Sequence, residues 1–162
     1  MNDGTPTAPM LVVFSYHHLN TRKIAEVFAE VLGAEILRPQ DVDPAELAGC
    51  SLVGFGSGIY NAEHHAGMLA LAERLPEVTG NAAFIFSTSG IYTQRKVTND
   101  HEVLRNILVG KGYSIVGEFG CRGWDTYSIL KYIGGLNKGR PNDHDFERAR
   151  AFARKLQQQI SE

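Results

Sequence analysis

The chain has 162 residues, 16 basic and 18 acidic side chains for a net charge of −2, and 43% hydrophobic residues. That length suits one domain with its own core, and the composition excludes disorder, a disulfide scaffold and a charge-driven nucleic-acid binder. Glycine is over-used, at 17 residues or about one in ten against a usual ~7%, and without a collagen period the excess marks turns or ligand loops.

Residues 1–9 are small and polar, with no basic start leading into an apolar run, and are expected as a disordered tail before one domain over residues 10–162. Met10–Tyr16 is a continuous apolar run, the pattern of a strand buried on both faces. Ile24, Val27, Phe28, Val31 and Leu32 then repeat at helical spacing, and Gly33 closes that helix. Ala34–Leu37 is a short second strand, and Asp43-Pro44 opens a short helix ending near Gly49. Ser51–Gly56 reads as the third strand, followed by a helix bearing Met68, Leu71, Ala72 and Leu75 and stopped by Pro76. Ala82–Phe86 is the fourth strand. Asn99 and Glu102 have capping-box spacing ahead of Val103, Leu104, Ile107 and Leu108. Tyr113–Phe119 is the fifth strand, and a last helix starts near Asn142 or Asp143 with Ala149, Phe152, Ala153, Leu156 and Ile160 inward.

Strands alternating with helices imply an α/β protein, a parallel sheet covered on both faces as a three-layer sandwich. Five strands in a doubly wound sheet give the order 2-1-3-4-5, with a ligand crevice at the carboxyl ends where strands 1 and 3 diverge. No apolar stretch reaches the ~20 residues of a membrane span, so no membrane partner is expected. Cys50 and Cys121 have neither CxxC nor zinc spacing, which suits a reduced, cytoplasmic protein.

Three segments converge on that crevice: Ser15-Tyr-His-His-Leu-Asn-Thr21, Ser57-Gly-Ile-Tyr-Asn61 and Ser87-Thr-Ser-Gly-Ile-Tyr92. They hold hydroxyls, amides and glycine rather than acids or a base triad. The first runs straight into a helix, so Ser15, His17, His18, Asn20 and Thr21 stand where helix N–H groups would receive a phosphate. Ser57, Gly58, Ile59, Tyr60 and Asn61, with Ser87, Thr88, Ser89, Gly90, Ile91 and Tyr92, offer backbone groups and two flat rings to a planar heteroaromatic ligand.

On these residues, positions 10–120 resemble the flavodoxin-like proteins that bind flavin mononucleotide (FMN). The family holds the phosphate in a T/S-x-T-G-N-T loop after strand 1. Ser15, Asn20 and Thr21 match the ends of that pattern, His17 replaces a threonine, and the loop is one residue longer and lacks glycine. The resemblance implies FMN as cofactor, redox partner proteins, and Gly58 as a peptide that reorients with redox state. It also implies an acidic rim, which this chain carries weakly, Glu63 being the nearest acid. The segments 121–127 and 134–141 fall outside the family pattern.

Plainer readings stand beside these. Ser15, Asn20 and Thr21 also suit helix capping, and His17 either donates to a phosphate or faces solvent. Tyr60 and Tyr92 stack on a ring or are ordinary loop aromatics. Trp124 covers a flavin or packs its loop on the core, and Cys121 lies near the ring or is a buried, inert thiol. His17-His18 and His64-His65 are adjacent pairs that diverge, so no metal site is expected. Arg148, Arg150, Arg154 and Lys155 read as a solvated helix face. Gly54-x-Gly56-x-Gly58 lacks dinucleotide spacing, and no P-loop, receiver acids, phosphatase loop or nucleophile elbow is present. Three functions follow: an electron carrier with bound FMN, a monomer or homodimer; an NAD(P)H-dependent quinone or FMN reductase, walled by Trp124, Tyr127, Tyr132 and Gly134-Gly135; or a flavodoxin-like domain without flavin.

Overall fold

A computed structural model describes residues 5–15, 19–124 and 133–162. The elements are β1 (Met10–Phe14), α1 (Asn20–Leu32), β2 (Glu35–Leu37), a 3₁₀ turn (Pro39–Asp41), α2 (Pro44–Leu47), β3 (Val53–Tyr60), β4 (Glu63–His64), α3 (Ala66–Arg74), β5 (Ala82–Ser89), α4 (Gln94–Asp100), α5 (Glu102–Gly110), β6 (Ser114–Arg122) and α6 (Asp143–Ile160). The main sheet runs β2-β1-β3-β5-β6, every neighbouring pair parallel, and the two-residue β4 pairs antiparallel with the end of β3. With β4 set aside, this is the expected 2-1-3-4-5 order of a flavodoxin-like, three-layer fold.

The pleat sends alternate side chains into two cores. Leu11, Val13, Phe84, Phe86, Phe119 and Cys121 face α1 and α6, while Val12, Val53, Phe55, Ala83 and Ile85 face α3 and α5. Phe28 of α1 centres the first core, meeting Phe84, Phe86 and Phe119 edge-on with ring centroids 5.5, 5.0 and 5.4 Å away. Gly54 and Gly56 belong to this packing. A Cβ on Gly54 would stand 2.5 Å from the Phe84 ring, and one on Gly56 2.2 Å from that of Phe86. The glycine repeat that fails as a dinucleotide motif is thus clearance for two rings on the neighbouring strand.

The strands reach further toward their carboxyl ends than periodicity alone indicates. β3 extends through Tyr60, β5 through Ser89 and β6 through Arg122, each three or more residues past the apolar run, because ladder pairing continues after the hydrophobic residues stop, parallel between the main strands and antiparallel with β4 at Ile59 and Tyr60. Three further expectations are corrected. Asn99 and Glu102 form no capping box: α4 begins at Gln94, where the Thr93 side chain accepts from the Lys96 N–H, and His101 joins α4 to α5. Arg148 is only part-exposed, since its guanidinium lies over the Tyr92 and Phe119 rings, 4.9 and 5.2 Å from their centroids. Within the expected tail, Thr7 is tied down: its N–H donates to Gly49 O (2.9 Å), and its own carbonyl accepts from the Ser51 N–H (2.9 Å). Among the described residues no helix is long and apolar enough to cross a membrane.

Candidate functional site

The carboxyl edge of the sheet gathers the ends of β1, β3, β5 and β6 and the N-termini of the helices that follow them. Large apolar side chains are exposed there: Leu19 (55%), Tyr60 (39%), Ile91 (62%), Ile133 (75%) and Leu136 (37%). Exposed apolar groups on four separate connections at one edge make it the candidate binding surface.

After β1, Leu19 takes a left-handed conformation (φ 54°) and turns the chain into α1. The Ser15 hydroxyl accepts from the Arg22 N–H at 3.2 Å, so it stands at the open helix end, as either capping or anion binding requires. His17 and His18 lie outside the described residues. Thr21 is turned inward: its hydroxyl pairs with that of Thr88 at 2.8 Å, and both residues are buried. Asn20 donates from Nδ2 to Trp124 O at 2.9 Å, and its buried Oδ1 has no donor among the described residues. Gly123 makes this approach possible, since a Cβ there would stand 2.6 Å from Asn20 Nδ2.

After β3 the expected loop is a hairpin. Ser57 to Tyr60 are strand residues, and Asn61 (φ 51°) and Ala62 (φ 62°) make a two-residue turn into β4 with both central residues left-handed. The Ser57 hydroxyl donates to Gly58 O (2.7 Å) and accepts from the His65 N–H (3.0 Å), which holds the Gly58 carbonyl in place. Ile59 pairs with His64 across the hairpin. The Tyr60 ring meets His65 edge-on, and His65 stacks on Phe14 at 3.5 Å. Desolvation lowers the His65 pKa.

After β5, Ser89 donates to Ile91 O at 2.6 Å. Tyr92 shares one ring face with Arg148 and accepts from that guanidinium at 2.8 Å. Asn137, unremarked in the sequence, donates to Gly90 O at 2.6 Å and so ties the loop before α6 to the loop after β5. Trp124 is held at its backbone N–H by Arg140 O (3.0 Å), and its indole donates to Gly134 O at 3.1 Å. Cys121 lies within β6, its sulfur in the α1/α6 core, where burial pushes the thiol up to about 12. Tyr127 and Tyr132 lie outside the described residues.

Beneath the edge, on the α3/α5 side, is a buried polar chain that the sequence reading missed. Ser87 Oγ lies 2.8 Å from His101 Nε2, His101 Nδ1 lies 2.9 Å from Glu118 Oε1, and Arg105 donates to both Glu118 oxygens at 2.9 and 2.8 Å. Burial would raise the Glu118 carboxyl, but the hydrogen bonds from His101 and Arg105 outweigh it and hold the group at about 2. His64 packs against His101 with ring centroids 4.9 Å apart, and its Nε2 lies 3.1 Å from Phe86 O. Desolvation, reinforced by His101, lowers its pKa to about 3. The one signal available was Glu118 itself, a lone acid inside an apolar strand. Among the described residues no cluster of His, Cys, Asp and Glu could hold a metal ion.

The fold is flavodoxin-like. Oxidised Flavodoxin 2 from Bacillus cereus superposes with a TM-score of 0.73 at 14% identity, over 94% of this chain and 99% of that one. The Fusobacterium nucleatum flavodoxin bound to flavin mononucleotide superposes at 0.66 with 12% identity, over 94% and 99%. No family model matches the chain. An uncharacterized protein of Methanocaldococcus jannaschii is 40% identical over 147 residues, covering 91% of this chain and 96% of that protein. The chain belongs to one sequence family with that archaeal protein, and its fold is that of the flavodoxins.

Proposed function

We propose that this protein binds FMN at the carboxyl edge of its sheet and serves as an electron carrier. The observation that carries the reading is the combination at one edge of exposed apolar side chains with an acid-free helix N-terminus. The donor chemistry fits the group. Ser15 and the first N–H groups of α1 suit a phosphate, and the orphaned Asn20 Oδ1 suits a hydroxyl such as a ribityl chain supplies. Tyr60 stands at the hairpin tip as a flat, partly exposed neighbour for a ring.

FMN, when bound, accepts and passes on one or two electrons. The chain's part is positional. Helix α1 presents its positive end to the phosphate, the hairpin sets the Gly58 peptide, and the apolar rim excludes water. Reorientation of the Gly58 peptide between redox states requires release of the Ser57 hydrogen bond. Crystal structures of the oxidised and reduced FMN complexes check this, and an unchanged Gly58 peptide refutes it.

The tie from Asn137 to Gly90 favours a second reading, a reductase, because it raises a wall beside the edge. The visible spectrum after reconstitution with FMN tests both readings, and absence of bound flavin overturns both. With flavin bound, NADPH oxidation coupled to a quinone identifies a reductase, and no turnover leaves the carrier.

A further inference from the structure

Charge divides along the axis of the sheet. Lys23 in the first turn of α1, Arg95 in the first turn of α4, Arg122 closing β6 and Lys138 before α6 are all exposed at the carboxyl edge. None has a carboxylate partner among the described residues. Arg22, Lys96 and Arg140 offset carboxylates of their own, Glu26, Asp100 and Asp145. Among the described residues, the exposed acids beside these cations are Glu63 by the hairpin turn and Asp143 at the start of α6; Asp41, paired with Arg38, and Asp43 follow the carboxyl end of β2. The opposite edge carries Glu30, Glu35, Glu46, Glu73, Glu77 and Glu162 against Arg74, Lys111, Arg154 and Lys155. The N-termini of α1, α3 and α6 add positive partial charge to the carboxyl edge. An almost neutral chain is therefore polarised, positive at the candidate flavin site.

Leu19, Tyr60, Ile91 and Ile133 stand exposed among these cations. An apolar centre with a charged rim is the composition of a protein interface, and its sign selects the partner. We propose that this edge docks an acidic electron-transfer protein, with Lys23, Arg95, Arg122 and Lys138 meeting its carboxylates. The proposal deepens the flavin reading of the same edge and rests on it for its purpose. Its sign is opposite to that of the acidic rim implied by the flavodoxin resemblance.

The test is an affinity measurement with two probes, an acidic two-iron ferredoxin and a basic c-type cytochrome, by NMR titration of the isotope-labelled full chain. The ferredoxin is expected to bind at least about tenfold more tightly than the cytochrome, and to lose about tenfold in affinity between roughly 20 and 200 mM salt. Combining Lys23→Glu, Arg95→Glu and Arg122→Glu is expected to weaken it about tenfold more, while Lys111→Glu at the far edge changes nothing. Equal or tighter binding of the cytochrome, no ferredoxin binding, or affinity indifferent to salt and charge reversal overturns the proposal. Because binding is read without flavin, and flavin absorbance is read on the same sample, failure of the docking idea and failure of the FMN reading are told apart.

Discussion

His64 shows how much a single buried side chain dictates. Its ring is held neutral by desolvation and by His101, with a folded pKa of about 3 against an ordinary 6.5. Between those values the unfolded chain takes up a proton that the folded chain refuses. Stability is therefore complete above pH 6.5 and falls as the pH drops toward 3. Glu118 acts in the same direction lower down: with its carboxyl at about 2 rather than 4.5, its stabilisation is full above pH 4.5 and is lost toward pH 2. Urea unfolding at about pH 5 should give a folding free energy about 2 kcal/mol below that at about pH 7, and His64→Gln should remove most of that difference. An unchanged slope in the variant would assign the acid sensitivity elsewhere. Gly112 is the backbone counterpart, with φ at +98° and Val78 O only 1.8 Å from where a Cβ would stand. Gly112→Ala should lower stability by more than about 1 kcal/mol in the same assay.

Besides the two cores, specific polar contacts join the elements. Helix α1 is bolted to β5 by the Thr21–Thr88 hydroxyl pair. Thr21→Val should cost about 1 kcal/mol of stability, and adding Thr88→Val should recover part of it, as a double-mutant cycle would show. The same variant separates the two readings of Thr21. A hydroxyl engaged with Thr88 leaves FMN affinity unchanged, whereas a phosphate ligand would weaken it by about 1–3 kcal/mol. Helix α6 begins with a full capping box in which Asn142 Oδ1 accepts from the Asp145 N–H and Asp145 accepts from the Asn142 N–H. Arg140 closes the same carboxylate at 2.5 and 2.6 Å. Asn142→Ala should cost about 1 kcal/mol and loosen the loop whose Asn137 holds Gly90, seen as faster amide exchange at Gly90 and Ile91.

At the level of the molecule, a ligand that binds only the folded chain raises its stability with concentration. FMN at about a hundredfold its dissociation constant should add about 2.7 kcal/mol and raise the Tm accordingly. Riboflavin, which lacks the phosphate, should raise it much less, because the open end of α1 then faces no anion. Equal shifts from the two would remove the helix terminus from the site.

Apolar runs alternating with helical stripes were enough to imply the sheet order, because a parallel strand buried on both faces leaves its hydrophobicity in consecutive residues. Gly33 likewise announced a helix end that does take positive φ. Local pattern stops where hydrophobicity stops, so Ser57–Tyr60 and Ser87–Ser89 looked like loops, although ladder pairing carries the strands through them. The Ser87–His101–Glu118–Arg105 chain was invisible for a related reason. Its members come from β5, the α4–α5 junction, α5 and β6, and no spacing along the chain records that they meet. The Arg148–Tyr92 contact joins residues 56 positions apart. Residue order determined the layers of this protein and the edge that carries the candidate site. Its polar interior, the attachment of the loop before α6 and the sign of the field over the site were decided only when the sheet brought distant side chains together.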